Sequence, residues 1–242
     1  MRALEAAIFI TVLFRRVPFL YAAALVTTIL ALGLGPEAAE RHDRGRIQGT
    51  VRLTAATAQV IPSAAYATRR VSQPRPVGTE LNNVVVFLKD VAKAPDVSPM
   101  RAIMVQKDEV FQPHVLAITR GSTVAFPNSD PFFHNVFSLS PNATFDLGRY
   151  PRGDNRTRTF VHPGLVKLYC HIHSHMSGAI MVFDHPYFAM PAADGTFTID
   201  DVPPGSYTIS AWHERIGEST RPLRLDAGLT ARADFVLPVA ER

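Results

Sequence analysis

The chain has a single cysteine, Cys170, among 242 residues. One thiol excludes an internal disulfide, a four-cysteine zinc site and a cysteine-held iron–sulfur cluster. Charge is also scarce. Charged residues make up 19% of the chain and the formal net charge is +4. No lysine or arginine run is long enough to track a nucleic-acid backbone, so no nucleic-acid partner is expected. Helical periodicity is missing as well. After the first 35 residues no segment sustains a 3.6-residue apolar repeat, and 19 prolines punctuate the chain. What is abundant is apolar: 47% of residues are hydrophobic, which excludes disorder. At roughly 100–200 residues per domain, the length allows one large domain or two small ones.

The N-terminus reads as an export segment. Residues 17–35, VPFLYAAALVTTILALGLG, carry no charge and follow Arg15 and Arg16. A basic front, an apolar stretch and a small-residue end make a signal peptide. The same stretch is just long enough to remain as a membrane anchor. Residues 1–39 are therefore expected to form a hydrophobic signal helix, either a cleaved signal peptide or an N-terminal anchor. The remainder would then lie in the periplasm, touching a membrane only through that anchor. Without residues 1–35 the chain loses three arginines and one glutamate, and the charge falls from +4 to +2. In an oxidising compartment an unpaired thiol needs an explanation.

The remaining chain predicts strands. Short runs rich in Val, Ile, Phe and Thr recur between Gly, Pro, Asn and Asp: Ile47–Leu53, Val84–Leu88, Val115–Thr119, Thr123–Phe126, Thr157–Val161, Leu165–Tyr169 and Ala179–Phe183. Thr196–Ile199, Tyr207–Trp212, Arg221–Leu225 and Ala231–Leu237 follow. This spacing predicts an all-β fold of sandwich or barrel type. The stretch Thr54–Gly78, rich in Ala, Ser, Thr and Pro, reads as a long loop.

The lone thiol sits in a metal-ligand pattern. Residues 169–181 read YCHIHSHMSGAIM, giving Cys170, His173 and Met176 in C-x2-H-x2-M spacing. Upstream, DPFFHNV places His134 just after a strand and a turn. Two imidazoles, a thiolate and a weak axial thioether form the ligand set of a blue-copper site. The thiolate holds copper in both oxidation states, and the long thioether bond avoids a preference for either geometry. His175 stands as an alternative ligand to His173. Zinc would accept two histidines and a cysteine; a methionine at the fourth point favours copper. A trinuclear copper cluster lacks ligands, because the only His-x-His pairs are 171/173 and 173/175. His114, His162, His185 and His213 read as structural, and Met181 as core.

On these residues the stretch 104–184 resembles a cupredoxin, most closely the amicyanin and plastocyanin branch. His134-Asn135-Val136 matches that family's first-histidine segment, and the other ligands lie on one short loop before the last strand. VLAITRGSTVAFPN, residues 115–128, matches its strand, Gly turn, strand and Asn pattern. The resemblance implies a Greek-key sandwich over 101–185. It implies one type 1 copper ion on His134, Cys170, His173 and Met176. Asn135 would tie the ligand loops together by hydrogen bonds. It also implies a non-enzymatic electron carrier cycling Cu(II)/Cu(I) between redox proteins, such as a dehydrogenase or a cytochrome. Similar cupredoxin-like proteins are associated with methylamine utilisation. Copper delivery, buffering or sensing is the alternative, motivated by His171 and His175.

Residues 194–212, DGTFTIDDVPPGSYTISAW, resemble the carboxypeptidase-regulatory-like, transthyretin-type sandwiches. Asp194-Gly195 reads as a hairpin turn and Pro203-Pro204-Gly205 as a tight connection. That family's opening Gly-x-Val strand matches Gly49-Thr50-Val51, far upstream. Residues 46–100 with 186–240 are therefore expected to form a second, small β-sandwich split by the cupredoxin, with a tandem arrangement as the open alternative. Glu214, Arg215 and Glu218 read as a solvated loop.

Overall fold

The computed structural model describes residues 43–56, 77–91 and 97–240. The export segment and most of the 54–78 loop lie outside the described residues. Among the described residues no helix is long and apolar enough to cross a membrane.

The fold is all-β. In chain order, β1 is Gly45–Ala56, followed by a short 3-10 helix, Val77–Asn83, then β2, Val84–Lys89. Three short strands follow: β3, Arg101–Ile103; β4, Val105–Lys107; and β5, Val110–Gln112. Next come β6, Val115–Thr119; β7, Ser122–Pro127; β8, His134–Ser140; and β9, Ala143–Tyr150. Then follow β10, Asn155–Phe160; β11, Gly164–Tyr169; and β12, Ser177–Phe183. The chain ends with β13, Phe188–Ala189; β14, Thr196–Val202; β15, Gly205–His213; β16, Gly217–Leu225; β17, Thr230–Arg232; and β18, Phe235–Ala240.

Two pairs of sheets form, each around its own core. The sheets β10-β7-β3 and β6-β12-β11-β8-β9 enclose Phe111, Phe126, Tyr150, Phe160, Leu168 and Ile180, all fully buried or nearly so. The second pair is β14-β1-β17, with β18 also on β1, and β13-β2-β15-β16. It encloses Ile47, Leu88, Ile209, Phe235 and Leu237. Gln48 on β1 thus pairs with Thr198 of β14, and Val86 on β2 pairs with Ala211 of β15.

Burial patterns follow from this arrangement. In β1 the side chains alternate, with Ile47 and Val51 inward and Arg46, Gln48 and Arg52 outward. In β12 six consecutive residues are buried, because both faces of the strand are covered. Ile180 and Val182 face the first core. Ala179, Met181 and Phe183 face a third cluster with Val85, Val115 and Trp212. That cluster is the seam between the two sheet pairs, where the Phe87 and Phe183 rings lie 5.1 Å apart.

Polar contacts reinforce the seam and correct one expectation. Glu214, Arg215 and Glu218 are not simply a solvated loop. Glu214 Oε2 lies 2.5 Å from His114 Nε2, bridging the two sheet pairs. Arg215 meets the buried Glu80 at 3.4 Å, and Glu218 meets Lys89 at 3.0 Å. Burial alone would raise the Glu80 carboxyl, but Asn83, Arg215 and His213 outweigh it and hold it below its usual value. Asp194-Gly195 is also corrected. Gly195 does turn the chain, at φ +84°, but β13 and β14 on either side lie in different sheets, so no hairpin forms.

Candidate metal centre

His134 opens β8, and its partner across the sheet is Tyr150 at the end of β9. The remaining sequence-expected residues lie between β11 and β12. Tyr169 and Ser177 pair across this hairpin. Cys170 N–H donates to the Met176 carbonyl at 3.2 Å, and Met176 N–H donates to the His173 carbonyl at 2.9 Å. These two bonds shape residues 170–176 into a tight loop that turns Cys170 and His173 toward the first strand.

Three ligand atoms converge there. His134 Nδ1 and His173 Nδ1 lie 3.1 Å apart, and each lies 3.9 Å from Cys170 Sγ. A point equidistant from the three atoms in their plane lies about 2.1 Å from each, within the ~2.0–2.3 Å of a metal bond to imidazole nitrogen or thiolate sulfur. The donor set therefore fits one transition-metal ion in trigonal coordination. Among the described residues this is the one group of three such side chains close enough to hold a metal. His134 and Met176 are fully buried, Cys170 is 4% exposed, and His173 is half-buried. Met176 packs in the same core as Cys170.

His175 does not join the group. Its Nε2 lies 2.9 Å from Glu109 Oε2 at the surface, between β4 and β5. His171 is exposed, with its ring 3.9 Å from that of Phe137. Its backbone N–H donates to Asn135 Oδ1 at 3.3 Å, and Asn135 Nδ2 donates to Asp146 Oδ1 at 2.6 Å. Asn135 thus links the first-ligand strand to the ligand loop. Met181 lies in the seam core. His185 and His213 are buried, with His213 on Glu80, and His162 is exposed.

One residue of the site went unread in the sequence. Asp130, four positions before His134, is 5% exposed, and its Oδ2 lies 2.7 Å from His134 Nε2. Its carboxylate also accepts the N–H groups of Asp108 and Glu109, at 2.8 and 3.0 Å. Burial by itself would raise its pKa; the Glu109 N–H, the His134 ring and the Asp108 N–H together bring it below the usual carboxylate value. The ionised carboxylate accepts a hydrogen bond from Nε2–H, which leaves Nδ1 free to bind a metal. The Asp at minus four was the available signal. Asn128 braces the same segment, donating from Nδ2 to the carbonyls of Phe132 and Tyr150 at 2.8 and 3.1 Å.

Phe132 packs against both histidines of the group. The Phe132 ring lies 5.2 Å from both His134 and His173, and Phe132, Phe133 and Ile172 are all exposed.

Comparison with known proteins finds similarity at the level of solved structures. No protein family and no curated protein matches the chain. The structural neighbours are cupredoxins over part of the chain. A purple cupredoxin from Nitrosopumilus maritimus is 26% identical, with 34% of this chain and 99% of that one covered and a TM-score of 0.31. A copper-containing nitrite reductase from Thermus scotoductus SA-01 is 27% identical, with 38% of this chain covered and a TM-score of 0.33; the chain spans 24% of that enzyme's length. A reduced amicyanin variant is 18% identical, with 40% of this chain and 98% of that one covered and a TM-score of 0.32.

Proposed function

We propose that the protein is an exported, non-enzymatic carrier of single electrons that holds one type 1 copper ion on His134, Cys170, His173 and Met176. The observation that carries this reading is the triangle of His134 Nδ1, Cys170 Sγ and His173 Nδ1, sized for one ion. Copper bound there supplies a one-electron Cu(II)/Cu(I) couple. The chain's own residues do the rest. Asp130 and Asn135 fix the ligands before any ion arrives, so little has to rearrange when charge changes. Core packing around Met176 and Cys170 keeps water away from the thiolate. His173, half-buried beside the Phe132 ring, gives electrons a short way to a partner protein.

Two further readings belong to this proposal. Residues 101–185 form the copper module, interrupting a second sandwich made by 46–100 and 186–240; the sheet pairings and separate cores support this division. The apolar segment of 1–39 directs the chain to the periplasm, where the thiol is protected by the metal.

Copper delivery is the competing function. The contact of His175 with Glu109 weighs against it, because His175 is engaged elsewhere and is not poised to pass copper on. Voltammetry of the copper-loaded chain separates the two. A reversible one-electron wave with copper retained in both states supports the carrier. Transfer of Cu(I) to a soluble chelator on reduction overturns it.

A further inference from the structure

One flank of the first sheet pair carries concentrated positive charge. Within ten residues stand Arg149 on β9, Arg152 in the turn, and Arg156 and Arg158 on β10. All four are exposed. None forms an ion pair among the described residues. Over residues 149–158 the single opposing acid is Asp154. Asp146, just before, is taken up by Asn135 Nδ2 and by the Gly148 N–H at 2.7 Å.

Two of the four guanidinium groups, those of Arg156 and Arg158, are held in place without being neutralised. Arg156 donates to the carbonyls of Leu147 and Arg149, and lies 5.0 Å from the Tyr150 ring centroid. Arg158 lies 5.3 Å from the Phe145 ring centroid. Aromatic rings orient a guanidinium and leave its charge outward. The flank is also next to the metal centre: Tyr150 pairs with His134, and Arg149 pairs with Asn135.

We propose that this flank docks an acidic face of a protein redox partner; the partner's redox character rests on the electron-carrier reading above. Oriented guanidiniums match carboxylates in paired hydrogen bonds. Unpaired like charges on one flank steer an opposite surface before contact, and so bring the partner to rest beside the metal centre. An anionic membrane is the weaker fit, because Tyr150 is fully buried beneath its arginine and is not offered as an interfacial anchor.

The test uses the full chain in neutral detergent and a fluorescein-labelled peptide of ten glutamates, followed by anisotropy. Binding is expected at low salt, weakening about tenfold toward physiological salt. It is expected to disappear in R149E/R152E, with the far-UV circular dichroism unchanged. In the copper-loaded chain the same variant should slow oxidation by hexacyanoferrate(III) about tenfold and speed that by a cationic cobalt complex. Equal peptide binding by both proteins overturns the proposal. So does binding through these arginines to phosphatidylglycerol vesicles alone. If one-electron cycling is intact and the peptide ignores the flank, the docking proposal falls by itself. If the peptide binds the arginines but no one-electron cycle exists, the electron-carrier reading falls and takes the redox partner with it.

Discussion

Asp130 Oδ2 sits 2.7 Å from His134 Nε2, and this contact decides which ring nitrogen faces Cys170. The carboxylate is itself anchored by two backbone N–H groups, so the ring is fixed through a chain that begins in the β4–β5 turn. Removing it frees the ring and the tautomer. Asp130→Ala is expected to weaken metal binding about 10–100-fold in a chelator competition. Asp130→Asn keeps an acceptor and removes the charge, so the reduced, less positive centre is favoured and the midpoint potential rises. An unchanged affinity and potential in both variants would remove Asp130 from the site.

His173 and His175 differ by one turn of the loop and by everything that matters to a metal. His173 Nδ1 is 3.1 Å from His134 Nδ1, whereas His175 is bound to Glu109. His173→Ala should abolish the visible copper band, and His175→Ala should leave it. The reverse pattern in the two spectra would reassign the ligand.

Much of this site was legible in the sequence because its chemistry is local. Cys170, His173 and Met176 lie within seven residues, and His134-Asn135 is a recognisable pair. Asp130 was not read, since its meaning depends on the chain folding back four residues to a ring nitrogen. The His175–Glu109 pair was equally hidden, because the two residues are far apart in sequence. For the fold, the strand runs around Ile47–Leu53, Val84–Leu88 and Ala179–Phe183 were plain from alternation or from continuous apolar runs. The stretches 101–112 and 143–150 were not read as strands. In 101–112 the elements are only three residues long, and β9 is largely exposed, so neither leaves a clear apolar period. The contacts of the β15–β16 turn were missed because Glu214 finds its partner, His114, across the seam.

Gly49 separates the two cores experimentally. A Cβ there would stand 1.7 Å from the Ala233 carbonyl oxygen, against backbone that cannot easily give. Gly49→Ala is expected to destabilise the β1 sheet by about 3 kcal/mol, seen in denaturant unfolding by far-UV circular dichroism. The Cys170 site, built on the other core, should keep its metal spectrum under native conditions. Loss of that spectrum in the folded variant would contradict two independent cores.

Acid should act on the same sheet through Asp234. Its carboxylate accepts from Arg232 and from the N–H and Oγ1 of Thr50, and is held down to about 2. A depressed carboxylate contributes stability that is present above its ordinary value near 4 and is lost as pH falls through the folded value. Because the pair with Arg232 is exposed, the loss is about 1 kcal/mol at most. Denaturant midpoints measured between about pH 5 and 2 should fall for the wild type. They should fall less for Asp234→Asn, which is already weaker at neutral pH. Parallel slopes for the two proteins would rule out Asp234 as the titrating group.

In the function proposed above, Cys170 is a copper thiolate in a trigonal site with His134 and His173. The most direct test is the visible absorption spectrum of the purified chain as Cu(II) is added. An intense thiolate-to-copper charge-transfer band is expected that saturates at one ion per chain and is absent in Cys170→Ser. A chain that binds Cu(II) without the band, or a band that survives Cys170→Ser, would contradict that function.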